Sequence, residues 1–198
     1  MDEQAPYDET GLQSLFGYGR AAHERSGGIC QLCGCGAGSD VDFDLWRQFT
    51  IEHLIGEGQG GYPPRIRAAV DERFAHLPAH ARMDLSKRIH EANIVTACQF
   101  CNSTTSRDRA TVTMEELIAS LPDDPEKALV ALSLSERLQP ILEAKRKTVE
   151  WKLQSVYRGF RERIRPNLLE RRKLDPRLRE PRDLSGLDVT DTAPVDAD

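Results

Sequence analysis

The sequence predicts an α+β fold, in which a small strand-containing core is held together by paired cysteines, contains a helical insertion and is followed by long helices. Three observations carry this prediction. Two Cys-x-x-Cys pairs, Cys30/Cys33 and Cys98/Cys101, lie far apart in the chain. Apolar stretches short enough to be strands lead to His53 and to the second pair. From residue 135 onward, apolar residues recur at helical spacing.

The spacing of the two cysteine pairs is typical of a structural zinc site. A two-residue gap lets both sulfurs of a pair face one ion, and four thiolates complete its tetrahedral coordination without an open position. Segment 34–97 is much longer than the roughly 15–20 residues between the pairs of a compact zinc ribbon, so we expect the functional part there. Cys35 leaves the choice of ligands open. The equal gap of the second pair favours Cys30 with Cys33 and makes Cys35 a spare thiol.

An adjacent carboxylate and imidazole, Glu52 and His53, follow an apolar stretch and precede the glycine-rich segment 56–61. A strand that ends in a turn projects neighbouring side chains to opposite sides. One of the two can then hold a metal while the other remains available for proton transfer. A second apolar stretch follows Asn93, delivers the second cysteine pair and ends on the amide of Asn102.

This order of motifs resembles the HNH endonucleases that carry a four-cysteine zinc on a ββα-metal fold. The resemblance covers roughly residues 27–109. It implies that His53 is the general base that activates water and that Glu52, where the family usually has Asp, is a ligand of a catalytic Mg²⁺ or Mn²⁺. It also implies that Asn93 holds the loop bearing the histidine. Asn102 falls at the last position of the motif, where it would be a second ligand of the catalytic metal.

Two positions depart from the family pattern. Glu52 is one methylene longer than the usual Asp, which changes the reach of the carboxylate. The lysine that the family frequently has three residues after the last motif position is Thr105 here, which leaves Arg107 or Arg109 to meet the phosphate. Segment 103–109 is expected to form the short helix of the metal fold, with a polar loop as the alternative.

The insertion, at about 62–92, is predicted to be helical. Apolar spacing predicts one helix over 65–74 and a second over about 79–91. Because no acids match them at paired helical spacing, the histidines of this insertion are predicted to be surface residues, and the one nearest Asn93 is the strongest candidate for another role. These histidines are His76, His80 and His90.

The region 110–182 is predicted to be helical and basic. Pro140 interrupts its apolar stripe and is expected to kink the helix or to mark a boundary. Residues 141–182 hold 14 Lys/Arg against 6 Asp/Glu. This block predicts either a surface that binds DNA phosphates or the solvated face of a packing or dimerisation helix. Its densest basic cluster consists of Arg171, Arg172 and Lys173.

Composition limits the class of protein. A chain of 198 residues with 39% hydrophobic content fits one domain with appendages, or two small ones. Four of the five cysteines form spaced pairs, and the start is unlike a signal peptide, which together predict a cytoplasmic protein with reduced thiols. No apolar run approaches the roughly 18 residues of a membrane span. Residues 1–26 are predicted to be a helical lead-in and residues 183–198 a disordered acidic tail.

These features predict a metal-dependent endonuclease that hydrolyses phosphodiester bonds in DNA. Restriction or phage defence, with another subunit, is the expected setting. RNA remains an alternative substrate because the phosphate chemistry is shared. The alternative from another class is a catalytically silent zinc module that binds nucleic acid or a protein partner through its basic helices. An acid–histidine pair between the cysteine pairs favours the enzyme, because a zinc-binding transcription factor does not need one.

Overall fold

The computed structural model describes residues 19–38, 43–175 and 177. The chain divides into two compact units, Met1–Leu153 and Gln154–Asp198. The first unit contains one two-stranded sheet among the described residues and is otherwise helical, so the α+β prediction is confirmed at this level. Of the predicted lead-in only the last residues belong to the described part of the chain, and the predicted acidic tail lies outside it.

The two strands are those that the apolar stretches predict. Strand β1 (Phe49–His53) pairs antiparallel with β2 (Ile94–Cys98), with Phe49 opposite Cys98 and His53 opposite Ile94. Their β-branched and aromatic residues fit a pleated, half-buried surface. Strand β2 leads directly into a helix that packs on both strands. The order is therefore strand, strand, helix, with a long insertion between the strands.

The helix after the second cysteine pair lies earlier in the chain than the sequence predicts. It spans Gln99–Thr105 and ends where the Ser106 N–H donates to the carbonyl of Asn102 at 2.9 Å. The expectation of a helix over 103–109 is wrong, because the backbone turns after Thr105. The residues beyond this turn, including Arg107 and Arg109, lie in irregular structure and expose their side chains.

Two helices occupy the insertion, as predicted. One spans Pro63–Arg73 and begins on two prolines, which suit the first helical turn. The other spans Ala79–Asn93 and ends where β2 begins. They pack against each other through a buried apolar face. In chain order the described helices of the first unit are α1 (Gly19–Arg25), α2 (Phe43–Trp46), α3 (Pro63–Arg73), α4 (Ala79–Asn93), α5 (Gln99–Thr105) and α6 (Met114–Ala119), with a 3-10 turn at Glu57–Gln59.

Helix α7 (Lys127–Gly159) is the longest element and continues through Pro140. The expectation that this proline marks a boundary is wrong. Leu138 and Ile141, on either side of it, are buried in the core of the first unit and hold the helix in place. Neither α7 nor any other described helix combines the length and the apolar composition needed to cross a bilayer.

The second unit contains the end of α7, a π-helical turn (Phe160–Ile164) and helix α8 (Arg165–Leu174). Its apolar side chains, among them Phe160 and Ile164, are exposed, whereas the same stripe earlier in α7 is buried as far as Val149. The apolar stripe read from the sequence therefore has two parts with different surroundings.

Candidate functional site

The two cysteine pairs meet beside the sheet. The sulfurs of Cys30, Cys33, Cys35 and Cys98 all lie within 4.8 Å of one another. The sulfurs of Cys33 and Cys98, one from each pair, are 3.9 Å apart. Four thiolates at such spacing are the donor set of a tetrahedral structural zinc. The cluster can therefore hold a metal such as zinc.

Cys101 adds a fifth sulfur to this cluster. It is fully buried, and its thiol hydrogen-bonds with those of Cys30, Cys33 and Cys98, which raises its pKa. The hydrogen bond from Cys101 is in turn the main reason that the pKa of Cys98 falls, to about 6. The structure thus places Cys30, Cys33 and Cys98 in the mutually close set, whereas the sulfur of Cys101, the fourth predicted ligand, interacts with these three but lies outside that set. It also places Cys35, the expected spare thiol, among the mutually close sulfurs.

Hydrogen bonds from the first cysteine pair to β2 bring the pairs together. The Gln31 N–H donates to the Thr96 carbonyl at 2.8 Å, and the Thr96 N–H donates to Gln31 Oε1 at 3.0 Å. The Cys98 N–H donates to the sulfur of Cys30 at 3.3 Å. The loop that carries the first pair is therefore attached to β2 next to the second pair.

Asn93 fixes the loop that follows β1. Its Oδ1 accepts from the Ile55 N–H at 2.9 Å, and its Nδ2 donates to the carbonyls of Ile55 at 2.9 Å and Gly61 at 3.0 Å. Asn93 is fully buried, so these groups have no access to bulk water. The loop directly after His53 is therefore tied to Asn93, the residue immediately before β2.

His53, at the end of β1, lies between two other rings. Its ring centroid is 4.2 Å from that of Tyr62, and its Nε2 is 3.4 Å from Nε2 of His90. Burial, followed by the charges of His90 and Lys145, lowers the pKa of His53 to about 4. The imidazole is therefore neutral near pH 7, which is the form that accepts a proton.

His90 is not the surface residue that the sequence predicts. It is fully buried, and burial, followed by the charge of Arg25, lowers its pKa to about 4. Ser86, His90 and Asn93 lie three or four positions apart, so all three share the buried face of α4. Its position three residues before Asn93 is the signal in the sequence. The other two histidines, His76 and His80, are exposed, as predicted.

Glu52 forms a buried ion pair that the sequence does not reveal. Lys145 Nζ, from α7, lies 2.6 Å from Glu52 Oε1, and neither side chain is more than 6% exposed. The hydroxyl of Thr105 donates to the same oxygen at 3.0 Å. A single lysine on an amphipathic helix is usually solvated, so nothing in the sequence marks Lys145 as part of this site.

Glu52, His53 and Lys145 line one cleft of about 430 Å³. The Asn102 amide, from α5, donates to the Thr50 hydroxyl at 3.3 Å, and the exposed guanidinium groups of Arg107 and Arg109 lie beside it in the lining. The functional side chains of this lining are Glu52, His53, Tyr62, Asn102, Arg107, Arg109 and Lys145. The predicted basic cluster Arg171, Arg172 and Lys173 belongs to α8 in the second unit, where all three side chains are exposed.

Oε1 of Glu52, which accepts hydrogen bonds from Lys145 and Thr105, does not fit the divalent metal that the resemblance implies. A Mg²⁺ ion bonded to Oε1 at about 2.1 Å would lie only about 4 Å from the ammonium of Lys145. At an effective dielectric constant of about 20, a dication and a monocation at that distance repel by about 8 kcal/mol. The carboxylate of Glu52 is therefore arranged to bind an ammonium group.

Comparison of the chain with protein-family models, with curated proteins and with solved structures found no match, so the cleft and the cysteine cluster are interpreted from their own chemistry.

Proposed function

We propose that the chain is a phosphodiester hydrolase, a DNA endonuclease of the HNH kind whose core is held by a structural zinc. The observation that carries the proposal is the presence of Glu52, His53 and Asn102 in one cleft with two exposed arginines. These groups come from β1, from α5 and from the turn after α5. A strand pair followed by a helix is the order that the ββα-metal fold implies.

His53 is the proton acceptor in this proposal. Its ring lies against those of Tyr62 and His90 and lines the cleft, where it would accept a proton from a water molecule. Removal of a proton from that water makes it a nucleophile for the phosphorus atom; the new P–O bond forms as the bond to the 3′ oxygen breaks, and the leaving 3′ oxygen takes a proton from solvent water. The guanidinium groups of Arg107 and Arg109 bind the oxygens of the same phosphate through charge-assisted hydrogen bonds.

The zinc at the cysteine cluster has a structural role in this proposal. Four of the five cysteines hold it, and four thiolates leave no position for water. The cluster joins the segment before β1 to the start of α5, and α5 carries Asn102. Metal binding therefore fixes the relative placement of strand and helix on which the cleft depends, and it supplies no reactive group.

A second candidate function is a catalytically silent zinc module that binds nucleic acid or a protein partner. The ion pair between Glu52 and Lys145 favours it, because this pair occupies the carboxylate that a metal-dependent nuclease would use. The exposed basic residues of α8 would then make the contacts.

Plasmid cleavage by the zinc-loaded protein tests the proposal. Supercoiled DNA is incubated with wild type, His53→Ala and the control His80→Ala, which removes an exposed histidine of α4. We expect wild type and His80→Ala to nick the plasmid, and His53→Ala to nick it at least about 100-fold more slowly because a general base is lost. DNA binding by all three proteins is measured in parallel.

Two outcomes contradict the proposal, the first its activity and the second its mechanism. Binding without cleavage by wild type supports the silent module. Cleavage that is equal in wild type and His53→Ala removes His53 from the reaction. A matched RNA of the same sequence is tested in the same way, and faster cleavage of the RNA assigns the site to an RNA-directed hydrolase.

A further inference from the structure

We infer that Lys145 is the resident cation of the cleft and that Glu52 holds this ammonium group instead of a divalent metal. The ligand of the cleft is then a phosphodiester anion that meets protein cations alone. The inference builds on the proposed function in taking a phosphate as the ligand. Its test measures metal binding, so that it fails or succeeds independently of DNA cleavage.

The contacts of Lys145 form a closed network. Its Nζ donates to Glu52 Oε1 at 2.6 Å and to the Thr105 carbonyl at 3.2 Å. The Thr105 hydroxyl donates to the same Glu52 oxygen and lies 3.1 Å from the carbonyl of Cys101, its second acceptor. Only 4% of the Lys145 side chain is exposed. A buried charge pair with such additional hydrogen bonds holds both partners in one geometry, since removal of either leaves a buried unpaired charge.

Lys145 is also held by its own helix. Leu142 and Val149, three positions before and four after it on α7, are buried in the core. Its neighbour Arg146 donates from Nε to the carbonyl of Gln31 at 2.8 Å, in the first cysteine pair. The ammonium is therefore delivered by an element that is fixed to both the core and the cysteine cluster. Lys147, two positions further, is exposed.

The charges of the cleft follow from this arrangement. Lys145 cancels the charge of Glu52, the carboxylate that would otherwise repel a phosphate anion. The exposed Arg107 and Arg109 are then the positive groups available to the phosphate, and Asn102 adds a neutral polar side chain. The lining also contains the carboxylates of Glu57 and Asp108, so its three acidic and three basic side chains balance, and a phosphodiester would be bound through direct contacts with Arg107 and Arg109.

Titration of the zinc-loaded protein with Mn²⁺, followed by the loss of the free-ion EPR signal, tests the inference. We expect Glu52→Gln to leave the weak Mn²⁺ binding of the wild type unchanged. Lys145→Gln frees the carboxylate and should create a site that binds Mn²⁺ about 100-fold more tightly. The double variant Glu52→Gln/Lys145→Gln should lose that site. Lys147→Gln, on the same helix, and Lys145→Arg, which keeps the charge, should behave as wild type.

Either of two results overturns the inference: Mn²⁺ binding by wild type that disappears in Glu52→Gln, or a folded Lys145→Gln that binds no more tightly than wild type. Circular dichroism establishes whether Lys145→Gln folds. If Lys145→Gln does not fold, the effect of Mn²⁺ on the ring resonances of His53 in the wild type tests the inference instead. One equivalent of Mn²⁺ should leave the ring resonances of His53 sharp, and paramagnetic broadening of those resonances that disappears in Glu52→Gln would place the ion beside Glu52.

Discussion

The amide side chain of Asn93 hydrogen-bonds both the N–H and the carbonyl of Ile55, with nitrogen–oxygen distances of 2.9 Å each. This pairing imitates a strand partner at the point where β1 ends and the loop begins. A third hydrogen bond, to Gly61, closes the loop. The placement of His53, two residues before Ile55, therefore depends on one buried side chain.

Replacement of Asn93 by Ala should destabilise the protein strongly. Three buried hydrogen bonds are removed and the backbone groups of Ile55 lose these partners, so the free energy of unfolding should fall by about 2–4 kcal/mol. Urea denaturation of the zinc-loaded protein measures the change. Asn102→Ala, which removes one longer hydrogen bond at a half-buried position, is the control and should cost less than about 1 kcal/mol. Equal effects of the two substitutions would contradict the special role of Asn93.

The loop after β1 has no room for a side chain at Gly61. A Cβ there would lie 1.7 Å from the carbonyl oxygen of Ile55, whereas a Cβ at Gly58 meets nothing within 4 Å. Gly61→Ala should therefore lower the melting temperature and slow any cleavage, because the loop must shift away from Asn93. Gly58→Ala should leave both unchanged within error. A Gly61→Ala protein as stable as Gly58→Ala would show that the loop adjusts freely.

The buried histidines predict a loss of stability in acid. The pKa values of His53 and His90 are about 4 in the folded state, against 6.5 without burial. Between pH 6.5 and 4 the unfolded state therefore binds protons that the folded state does not, so the free energy of unfolding falls as pH falls through this window. Each histidine contributes up to about 3 kcal/mol, all of it present above pH 6.5.

Urea midpoints at several pH values, for wild type and His90→Gln, check this prediction. Acid also protonates the zinc ligands, but that effect is common to both proteins, so the comparison isolates the histidine. His90→Gln should lose the contribution of His90 to the fall and keep those of His53 and of His23, whose pKa burial also lowers. A fall of the same size in both proteins would contradict it.

The cysteine cluster contains one sulfur more than zinc needs, and substitution identifies the spare one. Cys101 is fully buried and repeats the two-residue gap of the first pair, while Cys35 is only half-buried. We expect Cys35→Ser to retain one zinc per chain and Cys101→Ser to lose it together with the folded state. Native mass spectrometry and circular dichroism measure the two properties. Retention of zinc by Cys101→Ser but not by Cys35→Ser would reverse the assignment.

The basic cluster of α8 should contribute to DNA affinity by neutralising phosphates. Reversal of charge at Arg171, Arg172 and Lys173 should weaken binding and reduce the slope of log affinity against log salt by about 0.9 for each phosphate that is no longer neutralised. Fluorescence anisotropy at several salt concentrations measures that slope. Lys87→Glu, at an exposed position of α4, serves as the control for an effect of net charge. A slope that is unchanged in the triple variant would assign the cluster to another surface role.

The parts of the site that the sequence predicts are those encoded locally. The cysteine gaps, the strand before His53 and the amide at Asn93 each have a recognisable spacing. The structure clusters the cysteines, places His53 in the cleft and joins Asn93 to the loop that follows His53. Helices α3 and α4 follow from their apolar periodicity in the same way.

The parts that it does not predict depend on contacts between distant segments. Lys145 is 93 positions from Glu52, and its burial depends on where α7 crosses the core. His90 is buried because it lies on the face of α4 that is turned towards His53. The helical period of 3.6 residues does not determine from the sequence which single residues lie on that face. Cys35 joins the cluster because the first turn folds back on itself: the Cys30 N–H donates to the Cys35 carbonyl at 2.9 Å.

The ion pair between Glu52 and Lys145 bears on how this protein can be divided. A fragment ending at residue 109 would contain every motif that the sequence reveals, yet its key carboxylate would be left buried without a counterion and its apolar core without the cover of α7. Such a fragment should fail to fold alone. If it were grafted onto another scaffold, the sequence motifs would be transferred without the ion pair between Glu52 and Lys145. A transferable unit of this site has to include α7 as far as Lys145.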